Sequence, residues 1–305
     1  MSHSILIAIL VASQILSQSL LPSLPNGHAG LTDEIKQTAY ERNLNLDPAS
    51  VGIKKDPSLI APIISANSAI ALDLNSGTVL YSKDAYQTLP IASITKLMTA
   101  LLVLEDGRLD EMAQISEKAA SLPGSKAWLY PGDYMKVEDL LKANLIHSAN
   151  DASMVLAEFV AGSEEAFVEK MNRKVLELKL AGTHFENPVG YDNNENYSTA
   201  YELTLLAKKL WEYPLFRQIV GTRSETIYSE GGSAYKLEST NDLLKSYLKV
   251  YGMKTGTTDA AGQALVAIGE VDGGRQILTV VLNSPDRYHE TKVIFDWTER
   301  AYEFD

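Results

Sequence analysis

Ser93 and Lys96 stand three residues apart, a spacing that puts a hydroxyl and an amine on one face of a helix. A serine hydroxyl is a weak nucleophile until a base takes its proton. A lysine serves as that base only when burial or a neighbouring cation lowers its pKa. Further along the chain come Ser148-Ala149-Asn150 and Lys254-Thr255-Gly256. Lys254 is a candidate for the neighbouring cation, Ser148 for a proton relay, and Asn150 for an amide that orients Lys96. In this order the three motifs supply an acyl-transfer site that needs no histidine. A serine at a helix start also presents its own N–H to a developing oxyanion, and the Thr257 N–H can be the second donor.

Each motif alone is common. Ser-x-x-Lys recurs at Ser233/Lys236 and Ser246/Lys249, and Ser-x-Asn at Ser65/Asn67 and Ser239/Asn241. Only Lys-Thr-Gly is unique. Plainer readings exist for all three: an N-capping Ser93 with a solvated lysine, a capping cluster of Ser148, Asn150 and Asp151, and a lysine on an exposed edge strand. The signal is the order of the three, with Gly256 leaving room for a substrate alongside its strand and Lys254 and Thr255 placed to face a carboxylate.

The elements around the motifs follow from periodicity. Residues 66–81 read as a hairpin about Asn75-Ser76-Gly77, and residues 264–282 as a second about Asp272-Gly273-Gly274. Leu97, Met98, Leu101, Leu102 and Leu104 recur at helical spacing, which makes Ser93 the N-cap or first residue of a helix ending near Gly107. Helices are expected over 137–146, 152–161 and 166–180, with an irregular polar stretch at 187–196 and a closing helix over 291–302. Strands at both chain ends with helices between them predict an α/β (α+β) fold: an antiparallel sheet lobe built from both ends and an inserted all-helical lobe at about 97–210.

The chain has 305 residues, 45% apolar and 22% charged, enough for a large core. Its net charge of −12 weighs against nucleic-acid binding. It has no cysteine, which excludes disulfides and thiol catalysis, and its five histidines form no metal-ligand pair. The Asp192–Asn196 alternation lacks the glycine and glutamate of a calcium loop. No metal and no cofactor is expected. Residues 1–29, with an apolar stretch from Ile5 to Leu21 and Gly27-His28-Ala29 behind it, read as a secretory signal, which implies export. No Lys or Arg precedes that stretch, and the alternative is an uncleaved membrane anchor. Residues 30–62 form a polar lead-in to a domain at 63–305.

Together the residues resemble the penicillin-recognising serine acyl-transferases, and within them the low-molecular-mass penicillin-binding proteins of the D-alanyl-D-alanine carboxypeptidase group. The similarity is carried by Pro90-Ile91-Ala92-Ser93-Ile94-Thr95-Lys96-Leu97-Met98-Thr99-Ala100, Ser148-Ala149-Asn150-Asp151-Ala152 and Gly252-Met253-Lys254-Thr255-Gly256-Thr257-Thr258-Asp259-Ala260-Ala261-Gly262. Asn187-Pro188-Val189-Gly190 and Tyr197-Ser198-Thr199-Ala200 match as well, so the resemblance covers residues 60–305.

The resemblance implies a β-lactamase-like (transpeptidase-like) fold and a substrate of peptidoglycan stem peptides ending in D-Ala-D-Ala. It implies that Ser93 attacks the penultimate carbonyl with Lys96 as base, that the terminal D-Ala leaves, and that water hydrolyses the acyl-enzyme. Penicillin and other β-lactams would acylate Ser93 as inhibitors. It also implies an arginine after the last strand that helps hold the terminal carboxylate, a place Arg287 occupies; the plainer reading is a surface residue at a helix start. Ending at Asp305 resembles the endopeptidase members that cut cross-links, whereas the motif text leans to carboxypeptidase. A β-lactamase is the near rival, although Glu195-Asn196-Tyr197-Ser198 does not fit the Glu-x-x-Leu-Asn of class A enzymes. An inactive wall-binding module on the same fold is the non-enzyme alternative. Contact with the membrane is expected only through an uncleaved N-terminal segment.

Overall fold

The two hairpins read from the sequence are joined into one sheet. In the computed structural model, which describes residues 53–192 and 196–304, strands β1 (Ser68–Asp73) and β2 (Val79–Lys83) form the first hairpin. Strands β3 (Lys249–Thr258), β4 (Gly262–Val271) and β5 (Arg275–Ser284) come from the other end of the chain. The order is β3-β4-β5-β1-β2, all antiparallel, so β1 from the N-terminal side pairs with β5 from the C-terminal side. Strand β3, which carries Lys254, is an edge strand.

Both faces of the sheet are covered, which is why its strands are apolar without alternation. Ile70 and Leu72 of β1 and Val280 of β5 face the helical lobe. Ala69, Ala71 and Val281 face the closing helix α7 (Arg287–Ala301), through Ile294, Phe295 and Trp297. Burial of each such large apolar side chain is worth about 1.5–3 kcal/mol.

The helical lobe is built around α1 (Lys96–Asp106), whose residues from Lys96 to Leu104 are all buried. Packed on it are α2 (Val137–Ile146), α3 (Asn150–Ala161), α4 (Glu164–Glu177) and α5 (Ala200–Trp211), while α6 (Pro214–Val220) packs on α2 and on β3. A helix that is apolar all round has no face to offer water and takes the centre.

Four expectations are corrected. The helix does not begin at Ser93: Ala92–Thr95 is a 3-10 turn and the α-helix starts at Lys96. The inserted lobe is not all helical, since Met112–Gln114 pairs with Tyr134–Lys136 as a short ribbon; three-residue strands carry too few positions for a period to show. The closing helix starts four residues early, at Arg287, because Asp286 Oδ1 accepts the His289 N–H as its cap. The chain does not end in that helix, since Tyr302–Phe304 pairs with Ile53–Lys55 of the lead-in. The proposed signal at 1–29, lead-in residues 30–52 and Glu195 lie outside the described residues. Among the described residues no helix is long and apolar enough to cross a membrane.

Candidate active site

The three motifs converge at the seam between β3 and the helical lobe. The turn Ala92–Thr95 packs against β3, and the fit depends on Gly256: a Cβ there would lie 2.8 Å from the Ile91 carbonyl oxygen and 3.2 Å from Ala92 Cβ and Ile94 Cγ1. Gly256 thus makes room for the turn that bears Ser93.

Lys96 is fully buried. Its Nζ lies 3.0 Å from Ser93 Oγ, and it donates to Asn150 Oδ1 at 2.8 Å and to the Val189 carbonyl at 2.6 Å. Two fixed acceptors therefore take two N–H groups and leave the third direction for Ser93. Burial, followed by the charge of Lys254, holds the Lys96 pKa well below its ordinary 10.5, against a smaller opposing pull from Asp151. As a neutral amine Lys96 would keep both fixed donations and turn its lone pair to the Ser93 hydroxyl.

Lys254 is also buried, at 1% exposure, which rules out the solvated edge lysine. Its Nζ donates to Ser148 Oγ at 2.8 Å and to the Thr255 carbonyl at 2.9 Å. Burial and then Arg287 lower its pKa to about 7. Burial thus favours the neutral form of both amines, and the charge of Lys254 favours it further at Lys96, the form a general base needs.

Ser148 and Asn150 are not caps. Helix α3 starts at Asn150 behind Ala149 with no side-chain cap, because both side chains are turned to the lysines. Asn150 also donates from Nδ2 to the Pro123 carbonyl at 2.8 Å. The neighbouring Asp151 is buried and accepts the Ala127 and Leu129 N–H groups.

Each motif carries a strained residue. Ala92, just before Ser93, has φ 49°; Ser148 has φ 58°; and Met253, just before Lys254, has φ 138°. Such conformations cost on the order of 1–3 kcal/mol each outside glycine and persist where surrounding structure fixes them.

Arg287 reaches the same strand. Its Nη1 donates to the Gly256 carbonyl at 2.7 Å and to Thr257 Oγ1 at 2.5 Å. Thr255 Oγ1 pairs with Thr240 Oγ1 at 2.6 Å, while Thr257 is exposed at the open edge. All nine residues singled out from the sequence thus lie in one neighbourhood.

One participant was missed. The loop Asn187–Gly190 supports Lys96, a role its residue types do not reveal. Asn187 Oδ1 accepts the N–H groups of Val189, Gly190 and Tyr191, and Thr99 Oγ1 donates to the Pro188 carbonyl. Gly190 has φ 88°, and a Cβ on it would sit 2.0 Å from the Ala92 oxygen. The sequence signal was the Asn-Pro-x-Gly turn itself. Tyr191 ties this loop to the segment before Ser125 by donating to the Pro123 carbonyl at 3.0 Å.

The chain is similar to known proteins over this same region. A family model described as D-alanyl-D-alanine carboxypeptidase matches residues 55–286. D-alanyl-D-alanine carboxypeptidase DacF of Bacillus subtilis is 38% identical over 245 residues, covering 78% of this chain and 63% of the relative. DacC of Escherichia coli is 33% identical over 270 residues, covering 84% and 66%. The chain thus spans just under two thirds of the length of these relatives. The Streptomyces K15 DD-transpeptidase structure superposes with a TM-score of 0.74 at 30% identity, covering 78% of this chain and 98% of that one. The D-alanyl-D-alanine carboxypeptidase of Mycobacterium tuberculosis H37Rv has a TM-score of 0.74 at 28% identity, covering 80% and 94%. The fold is the β-lactamase-like fold of these peptidases, and the chain belongs to the D-alanyl-D-alanine carboxypeptidase family.

Proposed function

We propose that this chain is an exported serine-type D-Ala-D-Ala carboxypeptidase that trims the terminal D-Ala from peptidoglycan stem peptides. The observation that supports this most is the buried Lys96 amine, 3.0 Å from Ser93 Oγ with two hydrogens already committed. Ser93 Oγ attacks the penultimate D-Ala carbonyl while its proton passes to Lys96. The N–H groups of Ser93 and Thr257 receive the oxyanion. The C–N bond breaks, and the departing amine takes a proton relayed through Ser148. Water then attacks the Ser93 ester, giving the shortened peptide and free enzyme.

Lys254, Thr255 and Thr257 serve the terminal carboxylate. Arg287 adds positive potential there and holds the strand by its donation to Gly256 and Thr257. Export is supported by the signal-like residues 1–29, and any membrane contact would run through that segment. β-Lactams would acylate Ser93 as mimics of the dipeptide. A second outcome of the same acyl-enzyme has support from the Streptomyces K15 relative, which is known both as a carboxypeptidase and as a DD-transpeptidase: an amine in place of water would give transfer or act on cross-links.

The test is intact-mass spectrometry after brief exposure to benzylpenicillin, with Ser93→Ala as control, alongside D-Ala release from an acylated peptide ending in D-Ala-D-Ala. A lasting adduct absent from the variant, together with free D-Ala, is the expected result. An adduct that vanishes within seconds with opened drug released would make the chain a β-lactamase. No adduct and no D-Ala would leave a wall-binding module as the better account.

A further inference from the structure

Trp128 and Tyr130 stand out from the surface, 72% and 62% exposed, on the segment between the short helix Glu117–Ser121 and the strand Tyr134–Lys136. They line an open groove of about 400 Å3 with Glu117, Ser121 and Pro131. Two large aromatic side chains on one exposed groove, rimmed by polar groups, are the kind of surface that marks a binding site.

The exposure of Trp128 is imposed by the fold. Its backbone has φ 64°, a strained value for a bulky residue. Asp151, fully buried, fixes the residue on either side: Oδ1 accepts the Ala127 N–H at 3.0 Å and Oδ2 the Leu129 N–H at 3.1 Å. Lys126 Nζ lies over the indole at 4.4 Å from its centre while donating to the Ala120 carbonyl, which steadies the ring. Tyr130 is backed by the Tyr235 ring at 6.3 Å. Two rigid aromatic surfaces are thus presented at fixed positions.

This segment is also tied to the reacting centre. The Asn150 N–H donates to the Ser125 carbonyl at 2.7 Å, and Asn150 Nδ2 donates to that of Pro123 at 2.8 Å. The residue that holds Lys96 therefore anchors the start of the aromatic stretch.

We propose that Trp128 and Tyr130 form a subsite for the sugar chain to which the stem peptide is attached, a polymer of N-acetylated amino sugars. A pyranose ring offers an apolar C–H face that stacks on an aromatic ring and a rim of hydroxyls that bonds to groups such as Glu117 and Ser121. An apolar peptide would need a deeper pocket, and a nucleic acid would meet a chain of net charge −12. A peptide seated at Ser93 carries its sugar chain on its other end, and the segment that bears these rings starts at Pro123 and Ser125, whose carbonyls are bound by Asn150 of the site. The identity of the polymer rests on the D-Ala-D-Ala reading; the stacking surface does not.

The test uses the full chain and a tetramer of β-1,4-linked N-acetylglucosamine, with binding followed by calorimetry. The wild type should bind the tetramer, and Trp128→Ala should bind it at least about tenfold more weakly. The same variant should raise KM for peptide carried on sugar chains, with kcat unchanged, while D-Ala release from a sugar-free peptide stays at the wild-type rate. Tyr130→Ser is the second variant, with the same expectation, should Trp128→Ala fold poorly. Absence of tetramer binding, or equal binding by wild type and variants, overturns the subsite. A concentration-dependent dimer abolished by Trp128→Ala, with no sugar binding, would assign the patch to a second copy and overturn it too. A wild type that binds the tetramer yet releases no D-Ala would refute the peptidase reading and leave the subsite standing.

Discussion

Lys96 Nζ lies 2.6 Å from the main-chain oxygen of Val189, a residue far along the chain from the motif that contains the lysine. The candidate base is therefore aimed by a loop and not only by its own helix. That loop is held by Asn187 Oδ1, which accepts three successive N–H groups, and by Thr99 on α1. The arrangement fixes two of the three Nζ directions and leaves one to Ser93.

Replacing Lys96 by a side chain that stays protonated tests its use as the base. Lys96→Arg keeps a positive charge but cannot release its proton near neutral pH. Acylation of Ser93 by benzylpenicillin should fall by about 10²–10⁴-fold, the usual share of a general base. Stopped-flow or quenched intact-mass measurements read this directly. Acylation at the wild-type rate in the variant would move the base elsewhere, with Lys254 acting through Ser148 the next candidate.

Asn187→Ala should act on Lys96 without touching it. Three N–H groups lose their acceptor, and the Val189 carbonyl is no longer held against the amine. A cost of about 1–3 kcal/mol in stability is expected from unsatisfied buried donors, read as a lower urea midpoint. The acylation rate should fall as well, and its pH dependence should shift, because one partner of the Lys96 amine is displaced. A stability loss with an unchanged pH profile would reduce Asn187 to a structural turn.

Lys254 gives the chain a pH signature. Its pKa is about 7 in the fold and 10.5 ordinarily, so between these values the unfolded chain binds the extra proton. Stability contributed by this group therefore rises with pH through that window and is lost as pH falls towards 7, with a slope of at most about 1.4 kcal/mol per pH unit. Lys96, also lowered, acts in the same direction. Urea titrations from pH 7 to 9 should show this rise, and Lys254→Met should flatten it. In activity the sign reverses: loss of the Lys254 charge above about pH 7 should raise KM for substrates with a terminal carboxylate.

The fold and the site were legible to different degrees, for physical reasons. Both hairpins could be read because a glycine turn between apolar runs is a local signal, and α2 was placed at Val137–Ile146 by its apolar spacing alone. The residues of the site were legible as types, since hydroxyl, amine and amide side chains announce their chemistry. Their burial was not. For Lys96 and Lys254 the sequence leaves a buried functional lysine and a solvated one both open, and only the packing of β3 and α1 decides between them. The part played by Val189 was hidden because a main-chain carbonyl leaves no mark on the residue type. The short ribbon of Met112–Gln114 with Tyr134–Lys136 depends on partners distant in sequence, which no local pattern encodes.

Two glycines test whether close backbone approach is what assembles the site. Gly190→Ala would put a Cβ 2.0 Å from the Ala92 oxygen at a φ of 88°, and Gly256→Ala would put one 2.8 Å from the Ile91 oxygen. Both neighbours are backbone atoms of the turn before Ser93, so neither can swing aside as a flexible side chain would. Gly190→Ala should cost several kcal/mol, on the order of 3–5, and Gly256→Ala about 1–3, since its contact is longer and its φ unstrained. Gly107→Ala is the control: it shares a positive φ of 78° but has no atom within 4 Å of the added Cβ, so only about 1 kcal/mol is at stake. In Gly256→Ala the folded fraction should still be large, with penicillin acylation slowed at least about tenfold because β3 is pushed off the Ser93 turn. Wild-type acylation by a folded Gly256→Ala protein would mean that the edge strand and the turn can separate without consequence, and that Thr257 is not the second oxyanion donor.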